Sequence, residues 1–402
     1  MMAPPSEPHR VDDTKLRTAP PSALRQLGFR PFYFLASLFA ALSIPLWVLQ
    51  YAGYLPVAYV NGLMWHGYEM LAGYTTAVIA GFLFTAVPTW SGQPTPTGRL
   101  LAGFALLWVC GRVMVFIPST LAAVIVNAAF PLAVAVAIGV PLVRAANHRN
   151  YFVIVLVAAL GVVSVLIQLA GRSMIAFPPL PALQAGLDIV LLLIAVIAGR
   201  VIPMFSNNGV PGMRATRQPS VEKLAIATVG ALLLADLFQP PPVLLAVVAC
   251  VAAAVHAARL TLWQPWRTLR TPLVWILHAA YGWVVVHLLL RAMAALNLVP
   301  VSIALHALTI GVIGSITIGM MTRTSLGHTG RPLTTDWLEL SCFLLVQCAA
   351  VVRVTGSLLL GNANQYVASV IIAGLFWSIA FLLFASGYGP IWTRPRLDGK
   401  PG

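Results

Sequence analysis

Long apolar segments recur along almost the whole chain, and they limit what it can fold into. A helix that crosses the hydrocarbon core of a bilayer needs about 20 mainly apolar residues. Twelve such segments occur, at about 31–52, 65–87, 100–117, 120–143, 151–170, 183–205, 221–238, 242–259, 272–291, 300–321, 337–355 and 366–387. Hydrophobic residues make up 59% of the chain and charged residues 8%, whereas roughly a quarter of a soluble domain is charged. The sequence therefore predicts an all-α integral membrane protein, a bundle of about 12 transmembrane helices.

The breaks between these segments predict one polytopic domain with a polar tail at each end. Most breaks are rich in Pro, Gly and Asn, as loops are. The break at 239–242 is the weakest, because it could be either a tight hairpin or a kink. If it is a kink within one helix, the chain has eleven spans. Residues 28–390 are predicted to form a single transmembrane domain, with a disordered cytoplasmic tail at 1–27 and a second tail at 391–402. The first tail lacks the apolar core and cleavage site of a signal peptide.

The basic residues lie mainly in the breaks on one side of the predicted bundle. The net charge is +14, and 19 of the 24 Lys and Arg residues fall on the N-terminal side, against three on the other, Arg172, Arg291 and Arg353. The positive-inside rule therefore predicts that both termini are cytoplasmic. The basic residues form no groove or stripe, which excludes nucleic-acid binding. The four cysteines lie within apolar spans and are predicted to be free and buried.

This orientation gives each polar residue within a span an approximate depth, and the depths define two layers. The outer layer contains His66, Glu69, Arg112, Asp188, Asp236, His287, Arg291 and His306. The inner layer contains Arg200, Asn207, Asn208, His278, Arg323, His328, Arg331 and Asp336. Residues far apart in sequence share a layer, as a site between facing helices requires. The remaining histidines, His9, His148 and His256, lie near termini or loops and are predicted to carry no function.

Two histidines of the outer layer are candidate metal ligands. His66 and Glu69 are three residues apart on one helix face, so the carboxylate could orient the imidazole. His306 lies at a comparable depth on another span, and two imidazoles can hold a haem iron from opposite sides or share a copper ion. There is an alternative for each residue. His66 could be a solvated residue at the membrane interface beside Trp65 and Tyr68, and His306 could form a hydrogen bond with a backbone carbonyl. The glycines that follow His306 allow either close helix packing or room for a macrocycle.

Other charged residues could bind an anion or a haem propionate. Arg112, Arg200 and Arg291 lie within or beside spans, where an unpaired arginine is costly. Carbonyls freed by Pro203 could satisfy Arg200, and Asp236 could pair with Arg291. In the segment TRTSLGHTGRP, Arg323 and Arg331 are anion donors beside flexible glycines. His278 and His287 are nine residues apart, so they face opposite sides of one helix and cannot serve one metal.

Three longer segments carry a resemblance to a known family. They are WHGYEMLAGYTTAVIAGFLFTAVPTWSGQP, AGRVIPMFSNNGVPG and LHALTIGVIGSITIGMMTRTSLGHTGRPL. Together they resemble the NnrS family of bacterial membrane proteins, and the resemblance runs from about residue 25 to 390. It implies a twelve-helix bundle in the inner membrane that contains haem and copper. It also implies a role in nitric oxide metabolism, linked to denitrification or nitrosative stress.

The family's functional positions fall on residues already singled out. Its histidine positions correspond to His66, His278, His306 and His328, and its polar positions to Glu69, Arg200, Asn207, Asn208, Arg323 and Arg331. One position departs from the pattern, because the family commonly reads WHxHEM and this chain has Tyr68 in place of the second histidine. Tyrosine can ligate haem iron, but Tyr68 is expected to be an interfacial anchor.

The function predicted from the sequence is that of a haem- and copper-containing inner-membrane protein in the nitric oxide response. It would bind or convert nitric oxide, or a related redox species, at a histidine-ligated centre, with a separate electron donor. Whether it is an enzyme stays open. The alternative is a transporter or channel for a small anion or metal without a redox cofactor, with Arg200, Asn207 and Asn208 on an anion path.

Overall fold

The structure is a computed structural model that describes residues 23–54, 62–117, 120–359 and 362–399. These residues contain no strand and form twelve long helices. In chain order they are α1 (Phe29–Tyr51), α2 (Gly62–Ser91), α3 (Gly98–Met114), α4 (Thr120–Arg144), α5 (Tyr151–Gly171), α6 (Pro179–Gly209), α7 (Pro219–Phe238), α8 (Pro242–Leu262), α9 (Pro272–Ala295), α10 (Val301–His328), α11 (Trp337–Leu359) and α12 (Ala363–Thr393). Each predicted segment overlaps one of them, which confirms the all-α prediction.

Ten of the twelve helices are long and apolar enough to cross a membrane. The other two are α3, which has only 17 residues, and α7, which carries three charged residues. Exposed leucines lie on both, such as Leu106 of α3 and Leu234 of α7. The chain is therefore a multi-pass membrane protein, whereas the twelve-span count and the cytoplasmic termini stay predictions.

The weak break between the seventh and eighth segments is a turn. Helix α7 ends at Phe238, and Gln239 adopts a left-handed conformation with φ 49°, in which an α-helix cannot continue. The Gln239 N–H closes the end of α7 by donating to the carbonyl of Ala235 at 2.8 Å. Helix α8 then begins at Pro242, a residue suited to a first helical turn. The kink interpretation, with eleven helices, is wrong.

The cysteine prediction is only partly right. All four cysteines are free, and Cys342 is buried as expected. However, Cys110, Cys250 and Cys348 are exposed on the outer surface of the helices. Cysteine behaves as a small apolar residue, so a lipid-facing position suits it as well as a buried one.

Helices α2 and α10 each contain a π-helical segment, Glu69–Thr75 and Ala307–Gly314. Such wide turns often occur at functional sites. The glycines of α10 serve close packing: a Cβ on Gly311 would lie 2.5 Å from Trp283, and one on Gly314 would lie 2.6 Å from Trp377. Two indole rings therefore lie directly against the backbone of this helix.

Candidate functional site

A cavity of about 240 Å³ lies among α1, α2, α6, α10, α11 and α12. Its walls are mainly apolar side chains, such as Ile44 of α1 and Leu183 of α6. Among the described residues, the histidine and arginine side chains that line it are His66, His306 and Arg353. Enclosed apolar cavities with a few convergent polar groups are the usual form of ligand sites.

The structure brings His66 and His306 together across this cavity. Their ring centroids are 6.4 Å apart, and the ring planes differ by only 13°. Each histidine lies within three residues of the start of a π-helical segment, on α2 and α10 respectively. The rings are too far apart for direct contact stacking, so the pair leaves a gap between two imidazoles.

The hydrogen bonds of the two rings differ. His306 Nδ1 lies 2.6 Å from the carbonyl oxygen of Ser302. A carbonyl only accepts, so Nδ1 carries the hydrogen and Nε2 keeps its lone pair. The predicted carbonyl bond is therefore present, and it leaves a free ligand atom. His66 Nδ1 is buried without a hydrogen-bond partner among the described residues, and Trp47 stacks on this ring at 4.2 Å.

Arg353 is the charged residue beside the two histidines of the cavity, and sequence reasoning missed its role. The side chain is only 5% exposed and donates to Ser357 Oγ and, at 3.0 Å, to Tyr366 OH. It forms no ion pair with a carboxylate among the described residues. The sequence did offer a signal for this role. Arg353 lies inside the apolar run of α11, and a buried arginine needs a counter-charge.

Glu69 contacts Arg112 rather than His66. Arg112 Nη1 donates to Glu69 Oε2 at 2.5 Å, and Arg112 Nη2 donates to Asn127 Oδ1 at 2.5 Å. This buried cluster joins α2, α3 and α4. Glu69 therefore balances the charge of Arg112, and neither residue lines the cavity.

Arg291 is held by two carboxylates of the outer layer. Its Nη1 donates to Asp188 Oδ1 at 2.6 Å, and its Nη2 donates to Asp236 Oδ2. The predicted pairing with Asp236 is thus present, with fully buried Asp188 as a second partner. One turn earlier on α9, His287 Nδ1 lies 2.8 Å from the carbonyl of Ala304. These groups join α6, α7, α9 and α10 outside the cavity.

The inner-layer residues on α6 do not form one site. Arg200 donates from Nη1 to Asn150 Oδ1 at 2.6 Å, not to the carbonyls near Pro203. Asn207 bonds both backbone groups of Ala215, at 2.7 and 3.1 Å, and so fixes the loop after α6. The neighbouring Asn208 is exposed.

The inner-layer residues on α9 and α10 are likewise separated. His278 Nε2 lies 2.8 Å from Ser206 Oγ, whereas the His328 ring packs 6.0 Å from Phe29. Arg323 lies over Phe205, 3.8 Å from the ring centroid. His278 and His328 therefore contact different helices.

The expected location of His256 near a terminus or loop is wrong, whereas the expectation that it carries no function stays a prediction. This residue is fully buried in α8, where Nε2–H donates to the carbonyl of Ala225 at 3.1 Å. Nδ1 must then accept from Tyr281 OH at 2.7 Å, and Arg259 Nη1 donates to the same hydroxyl at 2.8 Å. The sequence did not indicate that His256 is buried, because this residue lies within the long apolar run of α8. Of the other two, His148 lies in the turn before α5, and His9 lies outside the described residues.

The chain was also compared with known proteins. The model of the NnrS family, described as NnrS protein, matches residues 23–396. The chain belongs to the NnrS family. Comparison with curated proteins finds no match. The family match therefore covers almost the whole bundle, from the turn before α1 to the end of α12.

Tyr68, the departure from the NnrS pattern, is not an interfacial anchor. It is 3% exposed, and its hydroxyl lies 2.8 Å from Ser164 Oγ and accepts from Gln168 Nε2 at 3.0 Å. Residues two apart on a helix point about 200° apart, so Tyr68 faces α5 while His66 faces the cavity. In this member of the NnrS family, the tyrosine fixes α2 against α5.

Within the described residues of this NnrS chain, no group of three or more His, Cys, Asp or Glu side chains is arranged to hold a metal ion. Methionine is a soft copper ligand, and two methionines near the inner ends of α6 and α10 differ in their surroundings. Met204 is 47% exposed and Met321 is fully buried. By contrast, Met64 and Met70 line the cavity beside the two histidines.

Proposed function

We propose that this NnrS-family protein is a haem protein of the bacterial inner membrane that acts in the nitric oxide response. In this proposal His66 and His306 would hold the haem iron, each through a ring nitrogen. The observation that carries it is the spacing of the two rings, whose centroids lie 6.4 Å apart. A metal–imidazole bond is about 2 Å and the ring centre lies roughly 1 Å beyond the nitrogen, so two rings on opposite sides of one metal have centroids about 6 Å apart.

The surrounding residues fit such a group. The Ser302 carbonyl holds His306 in the tautomer that leaves Nε2 available, as the outer partner of a ligating histidine usually does. Arg353 supplies a buried cation for a haem carboxylate. The walls around the ring pair are mainly apolar side chains. When bound, an iron held by both histidines would have no open position and would supply a route for electrons.

The size of the cavity favours a copper ion as a second candidate. About 240 Å³ is slightly below the ~300–1,000 Å³ of most small-molecule sites, so a macrocycle needs more room than the cavity now offers. A copper ion needs far less room than a macrocycle. Met64 and Met70 line the same cavity, and thioethers are soft ligands that favour Cu(I).

The test is an optical spectrum with metal analysis on the detergent-purified protein. His66→Ala and His306→Ala are compared with His278→Ala, a buried histidine outside the cavity that serves as the matched control. We expect a Soret band in the parent protein and in His278→Ala, and its loss in the two cavity variants. Copper that disappears in the same two variants, without a Soret band, would select the second candidate.

A featureless spectrum without copper would overturn both metal proposals. The transporter or channel for a small anion or metal would then be the better explanation. Flux measurements in cofactor-free proteoliposomes test that alternative directly. Arg200→Gln is the variant of choice, because its partly exposed side chain lies on the predicted anion path.

A further inference from the structure

Four arginines meet at the end of the bundle that is predicted to be cytoplasmic. Arg30 lies in the first turn of α1, Arg331 follows α10, and Arg394 and Arg396 follow α12. Arg30 Nη1 donates to the carbonyls of Trp392 at 2.9 Å and Arg394 at 2.7 Å. Arg30 lies within electrostatic range of Arg331 and Arg396, and Arg331 within range of Arg394. We call these four residues the arginine cluster.

The backbone around the arginine cluster is fixed. Arg396 Nη1 donates to the carbonyl of His328 at 3.0 Å, and the Leu397 N–H donates to the carbonyl of Thr329 at 3.1 Å. Gly330 has φ 71°, which permits the turn after α10, and a Cβ there would lie 3.0 Å from Asp398. The segment after α12 is therefore tied to the turn after α10.

The cluster has more positive than negative charge. The carboxylate beside it is Asp398, which bonds Arg396 in a bidentate fashion at 2.8 and 2.6 Å. Arg331 makes no hydrogen bond or ion pair through its side chain with the described residues, and its Nη1 is buried. Burial and the nearby Arg394 lower the pKa of Arg331. Among the described residues, Arg331, Arg394 and Arg396 set against Asp398 leave an excess of positive charge that an anion would balance.

We propose that the arginine cluster binds the phosphate of an anionic phospholipid headgroup. Guanidinium groups match phosphate oxygens in geometry and charge, and basic pockets at the ends of spans bind such headgroups. The cluster lies where two candidate membrane spans, Val301–His328 and Ala363–Thr393, come to an end. A headgroup phosphate lies at this level, and its acyl chains can run along the apolar helices. Free phosphate shares the chemistry but lacks this anchoring.

The site is independent of the proposed haem centre. His306 and His328 are 22 residues apart on α10, which corresponds to about 30 Å at about 1.5 Å per residue. Lipid binding can therefore be measured whether or not the histidine pair holds a metal. Failure of one proposal leaves the other standing.

The experiment titrates the purified full-length protein in detergent with phosphatidylglycerol or phosphatidylcholine and counts bound lipid by native mass spectrometry. Arg331→Gln and Arg394→Gln are compared with Arg270→Gln, an exposed arginine in the loop before α9. An arginine near a membrane surface contributes about 1 kcal/mol to anionic lipid binding, or about fivefold in affinity. We expect that loss in each cluster variant and a smaller loss in the control, whose guanidinium lies outside the arginine cluster.

Asp398→Asn provides a second test, in which the affinity for lipid should rise and not fall. Removal of this carboxylate should release Arg396 and raise the affinity for phosphatidylglycerol, a gain that general destabilisation cannot produce. Equal binding of both lipids, or an equal loss in Arg270→Gln, would overturn the proposal. Displacement of the lipid by millimolar inorganic phosphate would overturn the lipid assignment in favour of a soluble phosphate.

Discussion

Replacement of Gly199 by alanine tests the buried ion pair that joins α6, α7 and α8. A Cβ at this position would lie 2.6 Å from Arg259 Cζ and 2.8 Å from Glu222 Oε2, and closer still to Arg259 Nη2. The guanidinium donates to Glu222 at 3.0 and 2.5 Å, to the Ala195 carbonyl at 2.8 Å and to Tyr281 OH at 2.8 Å. The new methyl group would occupy space that this guanidinium now fills.

The size of the effect follows from these distances. Ordinary contacts of a Cβ begin at 3.4 Å, so the guanidinium must move by about 1 Å or more. Such a shift lengthens its hydrogen bonds beyond the useful limit of about 3.2 Å. Breaking a buried ion pair costs about 3–5 kcal/mol, and alanine recovers about 0.5–1 kcal/mol over glycine within a helix. We therefore expect a net loss of about 2–4 kcal/mol.

The assay is thermal unfolding of Gly199→Ala in detergent beside Gly230→Ala. Gly230 lies in the middle of α7, and a Cβ there would meet nothing within 4 Å. We expect a fall in Tm of roughly 3–6 °C for the first variant, because the shift per kcal/mol is about 2–4 °C in medium-sized domains and smaller in longer chains. The control should keep its Tm or gain slightly. Equal Tm values for the two variants would refute the reasoning.

Three further changes test other contacts. Tyr68→Phe should lower the free energy of unfolding by about 1–3 kcal/mol, measured by chemical denaturation, and leave any Soret band unchanged because its hydroxyl faces α5. Arg353→Gln should reduce the haem retained per protein after purification, because the cavity loses its cation. Arg291→Met should lower stability by about 3–5 kcal/mol, since two carboxylates lose their shared partner, and adding Asp188→Asn should restore part of it by thermal unfolding.

Much of the fold was predictable because the bilayer restricts a spanning chain to closed backbone hydrogen bonding. The twelve helices follow from apolar length, and their breaks follow from Pro, Gly and Asn. The turn at Gln239 was ambiguous because no glycine marks it, and the chain instead places a non-glycine residue in the left-handed region. The exposure of Cys110 was missed because hydropathy does not tell a lipid-facing position from a buried one.

The candidate site was predictable in part. His66 and His306 stood out because ionisable residues within apolar spans are rare, and depth placed them in one layer. The residues that contact them could not be predicted, because these contacts depend on which helices pack together and depth alone does not show this. Glu69 was paired with its sequence neighbour His66, although the packing of α3 brings Arg112 to it. Arg353 was treated as a charge at the membrane surface, although it lines the cavity.

The segment from His306 to Arg331 shows why a contiguous motif need not be a contiguous site. The sequence grouped both residues as cofactor ligands because they belong to one family pattern. In the structure α10 spans the bundle, so His306 lies at the cavity and Arg331 lies in the arginine cluster near the other end. A cofactor held at His306 cannot reach Arg331 about 30 Å away, given about 1.5 Å per helical residue. The motif therefore combines two sites with separate chemistry, joined by a helix whose glycines fix it against Trp283 and Trp377.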